Sequence, residues 1–233
     1  MTEPLLAVDD LVIGYDRPLI RPLSFRVDAS QIRVLVTGRN GAGKSTLLDT
    51  LALGMAPLAG AIRIDGDPRR PCSRAAARRL GIVRGNQRAR VVDSLNAREN
   101  IQLALRATAG DYLRSVLGID PNADTRGPDA MLERLGYPDL GSVAGSELST
   151  GQRRVVDNAR VLMADHARLL LFDEPLANLH ASAVAPFVEA LRAVTEATGS
   201  GAVIIEHRRI GDIAPDSHVD LDNYSLSRSA ASN

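Results

Sequence analysis

Short apolar runs separated by turn residues fill the first third of the chain. Runs bounded by glycine, proline, aspartate and serine are typical of β-strands, whereas apolar positions three and four residues apart indicate helices. The apolar run at 32–36 is followed by a glycine-rich loop and then by a helical pattern. Together these patterns predict strands over 5–13, 24–27, 32–36, 61–64 and 81–83, and helices over 45–53 and 73–79.

The last third of the chain alternates helical patterns with continuous apolar runs. Residues 169–172 and 203–205 contain no polar position, which is typical of central strands covered on both faces of a parallel sheet. Helices are predicted over 152–164 and 182–198. Strands that alternate with helices indicate an α/β fold with a parallel sheet.

The middle of the chain lacks clear β-runs and is helix-prone, with predicted helices over 94–105, 112–117 and 128–135. We interpret residues 88–150 as a helical subdomain inserted into an α/β core that comprises residues 1–87 and 151–224. An N-terminal antiparallel β subdomain belongs to the same core. Because the helical subdomain is inserted into one core, the chain 1–233 is predicted to be a single domain. Residues 225–233 are small and polar and are expected to be a frayed tail.

Composition narrows the class of protein. The 28 basic and 28 acidic residues balance, whereas a nucleic-acid-binding protein usually carries a basic excess, so no nucleic-acid partner is expected. Cys72 is the only cysteine, which excludes an internal disulfide and fits a reducing cytosol. The sequence predicts neither a secretory signal nor an apolar run of membrane-spanning length, so any membrane part is expected to come from another chain.

The glycine-rich loop at 38–46 fills the pattern G-x-x-x-x-G-K-[ST] between a predicted strand and a predicted helix. Glycine lets the backbone curl so that several N–H groups point at one anion, and the following helix adds its positive N-terminal end. Lys44 can then reach the β- and γ-phosphates of a nucleoside triphosphate, and the Ser45 hydroxyl can bind Mg²⁺. The phosphate-binding residues predicted here are Gly38, Asn40, Gly41, Ala42, Gly43, Lys44, Ser45 and Thr46.

Two later strands end in residues that suit triphosphate chemistry. The run at 169–172 is followed by Asp173 and Glu174, and the run at 203–205 is followed within two residues by His207. Side chains at the carboxyl ends of parallel strands face the crevice that holds the phosphates. Asp173 is predicted to hold Mg²⁺, Glu174 to polarise the attacking water, and His207 to contact the γ-phosphate. Ser149 lies at a predicted helix start, where free N–H groups can also bind phosphate.

The order of these motifs resembles the nucleotide-binding subunit of ABC ATPases. The resemblance rests on the phosphate loop, Gln87, the segment Leu-Ser-Thr-Gly-Gln at 148–152, the segment Leu-Leu-Leu-Phe-Asp-Glu-Pro at 169–175, and His207. It covers about residues 5 to 222. It implies ATP and Mg²⁺ as cofactors, Tyr15 stacked on adenine, Gln87 as a further Mg²⁺ contact that senses a membrane partner, Glu174 as catalytic base and His207 as a switch. It also implies that Ser149, Gly151 and Gln152 act on the ATP of a second subunit.

Three departures from the family pattern bear on activity. Thr150 replaces a usual glycine, and because a β-branched residue resists positive φ, altered packing is expected there. His180 replaces an aspartate that couples the two sites, which puts coupling or hydrolysis rate in question. The segment Gly85-Asn86-Gln87 lacks the proline or phenylalanine that commonly precedes the glutamine.

The resemblance therefore implies the ATPase subunit of an ABC transporter, a homo- or heterodimer that binds membrane permease subunits on the inner face of the cell membrane. The segments around 203–207 and 87–101 look most like importers of the branched-chain amino-acid type, for which a substrate-binding protein would be a further partner. Two alternatives stay open. One is a soluble, non-transport ABC ATPase such as an iron–sulfur assembly member, and the other is an ATP-binding regulatory module with little turnover.

Overall fold

A computed structural model describes residues 3–36, 42–85, 91–106, 126–164, 166–207, 209–214 and 217–226. Its strands are β1 (Leu6–Val12), β2 (Leu23–Val27), β3 (Ile32–Val36), β4 (Ala59–Ile64), β5 (Asp67–Pro68), β6 (Ile82–Arg84), β7 (Leu169–Asp173), β8 (Gly201–Glu206) and β9 (His218–Asp220). Its helices are α1 (Lys44–Leu51), α2 (Arg74–Arg79), α3 (Ala97–Arg106), α4 (Arg126–Arg134), α5 (Thr150–Leu162) and α6 (Val184–Thr198). The predicted helix at 112–117 lies outside the described residues.

The five-stranded parallel sheet has the order β6-β7-β8-β3-β9. Every residue of β7 and β8 is buried, which confirms the prediction of central strands covered on both faces. The register pairs Asp173 with Ile205 and Val36 with Glu206. Strands β3, β7 and β8 therefore end at one edge of the sheet, and the three predicted site segments follow from that edge.

The N-terminal strands form a separate antiparallel sheet in the order β2-β1-β4-β5. Its apolar face shares a buried cluster with one face of the parallel sheet, where Val8 and Ile62 pack in the same core as Leu35, Leu171 and Ile205. Burying each such side chain contributes about 1.5–3 kcal/mol. The antiparallel sheet thus covers one face of the parallel sheet and confirms the predicted β subdomain.

Helices cover the opposite face of the parallel sheet. Phe172 of β7 packs edge-to-face against Phe187 of α6, with ring centroids 5.5 Å apart. Val156 of α5 and Leu132 of α4 belong to the same core. The Nε–H of Arg98 on α3 is shared between both carboxylate oxygens of Asp129 on α4, at 2.9 and 2.8 Å, and this ion pair joins the helices of the middle segment beside α5.

The clearest differences from the sequence prediction concern one helix and two strands. Helix α3 begins at residue 97 and not at 94, because Asn96 and Glu99 exchange side-chain and backbone hydrogen bonds of 2.8 and 2.9 Å, an arrangement that caps a helix start. Strands β5 and β9 were not predicted. Both are short and lie at sheet edges, where pairing with one neighbour is enough to extend the chain. No helix within the described ranges combines the length and apolarity needed to cross a bilayer.

Candidate functional site

Helix α1 presents its N-terminus at the edge of the parallel sheet. It begins at Lys44, and Gly43 before it has φ 85°, a left-handed conformation that suits glycine. A β-carbon on Gly43 would also lie 3.2 Å from the Cδ1 atom of Ile13. Thr46 is buried and Ser45 is half-buried in the first turn. Ala42, Gly43, Lys44, Ser45 and Thr46 therefore surround the start of α1, whereas Gly38, Asn40 and Gly41 lie outside the described residues.

Lys44, Glu174 and His207 meet at this edge. The Nζ atom of Lys44 lies 2.5 Å from Oε1 of Glu174 and 2.9 Å from Nε2 of His207. The same imidazole nitrogen lies 2.9 Å from Oε1 of Glu174. Three residues that are up to 163 positions apart in the chain thus form one triangle of polar contacts, as the strand-end motifs predict.

The charge of Glu174 is stabilised in this triangle. Burial alone would raise the pKa of this carboxyl, but the hydrogen bond and charge of Lys44 and the contact with His207 outweigh it and hold the pKa below its usual value. The carboxylate is therefore ionised at neutral pH. An ionised carboxylate can accept a proton from water, which is the role expected of a general base.

Lys44 is also the only lysine among the 28 lysine and arginine residues of the chain. An ammonium group is a compact point charge with three donors, whereas guanidinium is a planar fork. The compact ammonium group can therefore lie close to both the Glu174 carboxylate and the His207 imidazole. The other 27 residues of this set are arginines.

The backbone of Glu174 is held in an uncommon conformation. Its φ is +49°, which costs a non-glycine residue of order 1–3 kcal/mol. Its N–H donates to the carbonyl of Ile205 at 2.9 Å. Such strain is tolerated when neighbouring contacts hold the residue in place, and it directs the Glu174 side chain away from the path of β7.

Asp173 precedes Glu174 and ends strand β7. Its side chain is 5% exposed, and its Oδ2 atom is buried without a hydrogen-bond partner among the described residues. Burial raises the pKa of this carboxyl, while the charge of Arg84 acts in the opposite direction. A buried carboxylate oxygen with spare acceptor capacity fits a Mg²⁺ ligand, directly or through water. Gln87, the further metal contact expected from the sequence, lies outside the described residues.

The site does not resemble a metal cage built from protein ligands alone. Within the described ranges there is no cluster of three or more histidine, cysteine, aspartate and glutamate side chains that could hold a metal ion. Mg²⁺ is usually bound by one or two protein groups together with water and phosphate oxygens. The donor set of Asp173 and Ser45 therefore fits Mg²⁺ that is held jointly with a nucleotide.

Two buried polar residues near the site were missed by the sequence analysis. The carboxylate of Glu206 accepts from the backbone N–H of Leu176 at 3.0 Å and from that of His207 at 3.3 Å, and burial raises its pKa. The amide of Asn158 on α5 donates to the carbonyl of Pro175 at 2.9 Å. Two features of the sequence could have indicated them: Glu206 is a carboxylate next to His207, and Asn158 is a polar residue on the apolar side of a helix.

Ser149, Thr150, Gly151 and Gln152 form the start of helix α5. Ser149 and Gln152 make a reciprocal capping box, with hydrogen bonds of 3.2 and 2.9 Å. Thr150 is the first helical residue and does not have positive φ. Positive φ therefore plays no part at Thr150, and the altered packing expected there stays a prediction.

Gly151 lies against the loop that follows Glu174. A β-carbon at Gly151 would lie 2.6 Å from the carbonyl oxygen of Asn178, so only glycine fits this close approach without a shift. Asn178 itself has φ +62°. The start of α5 and the segment after the carboxylates are therefore packed together within one chain.

Tyr15 and His180 lie at the surface. The Tyr15 side chain is 70% exposed, which leaves its ring available for stacking. His180 is exposed and precedes a single 3₁₀ turn, Ala181–Ala183, without a capping hydrogen bond from its side chain.

Residues 20–177, more than half of the chain, match the family described as ABC transporter. This chain belongs to the ABC transporter family. It is 35% identical over 210 residues to the arabinose import ATP-binding protein AraG 2 of Burkholderia cenocepacia, with 88% of this chain and 38% of that protein covered. It is 33% identical over 206 residues to the ribose import ATP-binding protein RbsA 2 of Streptomyces avermitilis, which covers 88% of this chain and 39% of that protein.

Solved structures support the fold. A putative ABC transporter ATP-binding protein from Pyrococcus furiosus superposes with a TM-score of 0.75 at 22% identity, covering 95% of this chain and 99% of that one. The ATP-binding cassette MJ0796, solved as a dimer bound to ADP and phosphate, gives a TM-score of 0.72 at 19% identity, covering 92% and 96%. The predicted fold class, an α/β P-loop NTPase core, is confirmed.

The sequence-based assignment to the ATP-binding subunits of ABC transporters is also confirmed, but its finer hint is not. The relatives are named for arabinose and ribose import, so the branched-chain amino-acid type is not supported. The chain spans less than two fifths of the length of these relatives.

Proposed function

We propose that this chain binds and hydrolyses ATP as the ATP-binding subunit of an ABC transporter that imports a sugar. The observation that carries the catalytic part is the triangle of Lys44, Glu174 and His207 at the carboxyl edge of the parallel sheet. The names of the arabinose and ribose import relatives support the substrate class. The alternatives, a non-transport ATPase and a regulatory module, are not favoured by those names.

Each residue of the triangle has a distinct role in this proposal. Lys44 and the start of α1 bind the β- and γ-phosphates, because an ammonium group and a helix N-terminus both favour anions. Glu174 accepts a proton from the attacking water, and His207 contacts the γ-phosphate. Asp173, Ser45 and Gln87 would hold Mg²⁺, which neutralises charge on the phosphates when bound.

A second subunit completes the site in this proposal. Tyr15 stacks on the adenine of one nucleotide, and the phosphate loop at 38–46 binds its phosphates. Ser149, Gly151 and Gln152 of the other subunit contact the same nucleotide from the opposite side. The exposed ring of Tyr15 and the exposed capping box at Ser149 are available for such contacts.

The remaining partners follow from the same proposal. Permease subunits in the membrane would bind this chain and change conformation as the ATPase dimer closes and opens. The chain would then lie at the inner face of the membrane. A substrate-binding protein would deliver the sugar. We propose that residues 88–150 form the helical subdomain on the α/β core of 1–87 and 151–224. Ser225 and Leu226 of the predicted tail pair with Ile20 and Leu19 of the core, whereas residues 227–233 lie outside the described residues.

The Glu174→Gln variant tests this proposal in the purified chain with Mg²⁺ and ATP. Loss of the base is expected to lower the rate of hydrolysis by about 10²-fold or more, while ATP still binds. The variant is then expected to accumulate as a closed dimer in size-exclusion chromatography with light scattering. Glu189→Gln removes an exposed carboxylate on α6 and serves as the matched control, with hydrolysis at the wild-type rate.

Two results would contradict parts of the proposal separately. Hydrolysis at the wild-type rate in Glu174→Gln would show that Glu174 is not the general base. If the variant binds ATP but stays monomeric at saturating ATP and Mg²⁺, with and without the membrane subunits, the nucleotide site is not shared between two subunits.

A further inference from the structure

The peptide bond between Pro175 and Leu176 is held from both sides by buried side chains. Its carbonyl accepts a hydrogen bond of 2.9 Å from the Asn158 amide, and its N–H donates one of 3.0 Å to the Glu206 carboxylate. Asn158 is 3% exposed and Glu206 is 6% exposed. Both polar groups of one peptide unit are thus bound to side chains that have little access to water.

This arrangement prevents the peptide from turning. A rotation of the peptide plane would break both hydrogen bonds and leave buried polar groups unpaired on both sides, which is costly. The peptide begins one residue after Glu174, whose φ of +49° is seldom adopted by a free chain. A fixed peptide at this position is a direct means of keeping Glu174 in that conformation.

The two side chains come from elements that carry other parts of the site. Asn158 lies on α5, the helix whose first turn contains Ser149 and Gly151. Glu206 ends β8 and also accepts from the N–H of His207 at 3.3 Å. The same loop contacts α5 again where the Asn178 carbonyl lies against Gly151. The loop after Glu174 is therefore tied at once to the start of α5 and to the His207 backbone.

We propose that Asn158 and Glu206 are positioning residues that clamp the Pro175–Leu176 peptide and thereby hold the Glu174 carboxylate in place for hydrolysis. The proposal rests on the role of Glu174 given under the proposed function. Neither clamp residue is among those proposed to contact the nucleotide. Their effect is expected on the rate of the chemical step and not on nucleotide affinity.

The test compares Asn158→Leu, Glu206→Met and the double variant with the wild type. Leucine has a similar volume to asparagine but no donor, and methionine has a similar length to glutamate but no carboxylate oxygen to accept the Leu176 N–H. Thr195→Val is the matched control, because it removes one buried hydrogen bond, from the Thr195 hydroxyl to the Arg192 carbonyl, away from the loop. Each protein is assayed for kcat, for the Kd of a non-hydrolysable ATP analogue and for Tm.

Both single variants are expected to lower kcat by about tenfold or more, since a small misplacement of a catalytic group is costly, while the Kd stays within about twofold. The double variant is expected to be little slower than the slower single variant, because either loss frees the same peptide. Thr195→Val is expected to lower Tm without changing kcat or the Kd. An Asn158→Leu enzyme with unchanged kcat, or with kcat and Kd both changed in proportion to the loss of Tm, would overturn the proposal.

Hydrogen exchange at the Leu176 amide provides a readout that does not depend on hydrolysis. Exchange is expected to be faster in Asn158→Leu and Glu206→Met and unchanged in Thr195→Val. Unchanged exchange in both clamp variants would disprove the clamp itself. If the variants show this exchange pattern but the wild-type chain does not hydrolyse ATP, the clamp stands and the proposed function is disproved.

Discussion

Lys44 and Glu174 form an ion pair in which Nζ lies 2.5 Å from Oε1, and their side chains are 12% and 29% exposed. The pair joins the residue expected to bind phosphate to the residue expected to activate water. A phosphate that binds at Lys44 must share its ammonium group with this carboxylate. Nucleotide binding at Lys44 is thus expected to change the contacts that stabilise the charge of the Glu174 carboxylate.

The pair predicts a pH dependence of stability. Because the pKa of Glu174 is lowered in the fold, the ionised carboxylate stabilises the folded protein at pH above the usual glutamate value, and this contribution is lost as the pH falls through the lowered pKa. The difference in Tm between the wild type and Glu174→Gln is therefore expected to be largest near neutral pH and to shrink on acidification. A difference that grows on acidification would contradict this account. Glu189→Gln controls for removal of an exposed carboxylate.

The contact between Gly151 and Asn178 predicts a strong effect of a single methyl group. Alanine normally favours a helix over glycine by about 1 kcal/mol, but at residue 151 the added β-carbon would lie 2.6 Å from a carbonyl oxygen. Gly151→Ala is expected to lower the free energy of unfolding by about 1–3 kcal/mol and to slow hydrolysis, as measured by urea denaturation and ATPase assay.

Gly211→Ala is the matched control for that experiment, because a β-carbon there would meet no atom within 4 Å. It is expected to be tolerated. A Gly151→Ala protein as stable as the wild type would show that the loop after Glu174 yields easily to α5.

Restoring aspartate at residue 180 is expected to improve the start of the following turn. His180 occupies the capping position of Ala181–Ala183 without a side-chain hydrogen bond, and an aspartate cap contributes about 0.5–2 kcal/mol. His180→Asp should raise Tm and also raise the rate or cooperativity of hydrolysis. His180→Asn separates capping from charge, since asparagine caps equally well. Unchanged kinetics in both variants would mean that histidine is a harmless replacement.

Much of the fold follows from patterns that act locally. The continuous apolar runs at β7 and β8 predict buried central strands because a strand covered on both faces has no polar side. Strands β5 and β9 could not be predicted, because a short polar segment becomes a strand only when an existing edge pairs with it. The late start of α3 depends on a cap between Asn96 and Glu99 that competes with the helical pattern.

The site was predictable to the extent that single strand ends specify it. Lys44, Glu174 and His207 each follow a predicted strand, and parallel strands bring their ends together. The clamp by Asn158 and Glu206 was not predictable, because it requires knowing that α5 and β8 meet at one peptide. The altered packing expected at Thr150 stays a prediction, since the capping box of Ser149 shows only that the backbone there starts an ordinary helix.

The most direct test of the central claim uses the single lysine of the chain. Lys44 and the α-amino group are the only amines of the chain that a small reagent such as cyanate can modify, and mass spectrometry measures both, the α-amino group being the internal reference. We predict that saturating ATP with Mg²⁺ protects Lys44 and leaves the α-amino group unaffected, because the bound phosphates occupy the ammonium group. Labelling of Lys44 at the same rate with and without the nucleotide would contradict the assignment of this site.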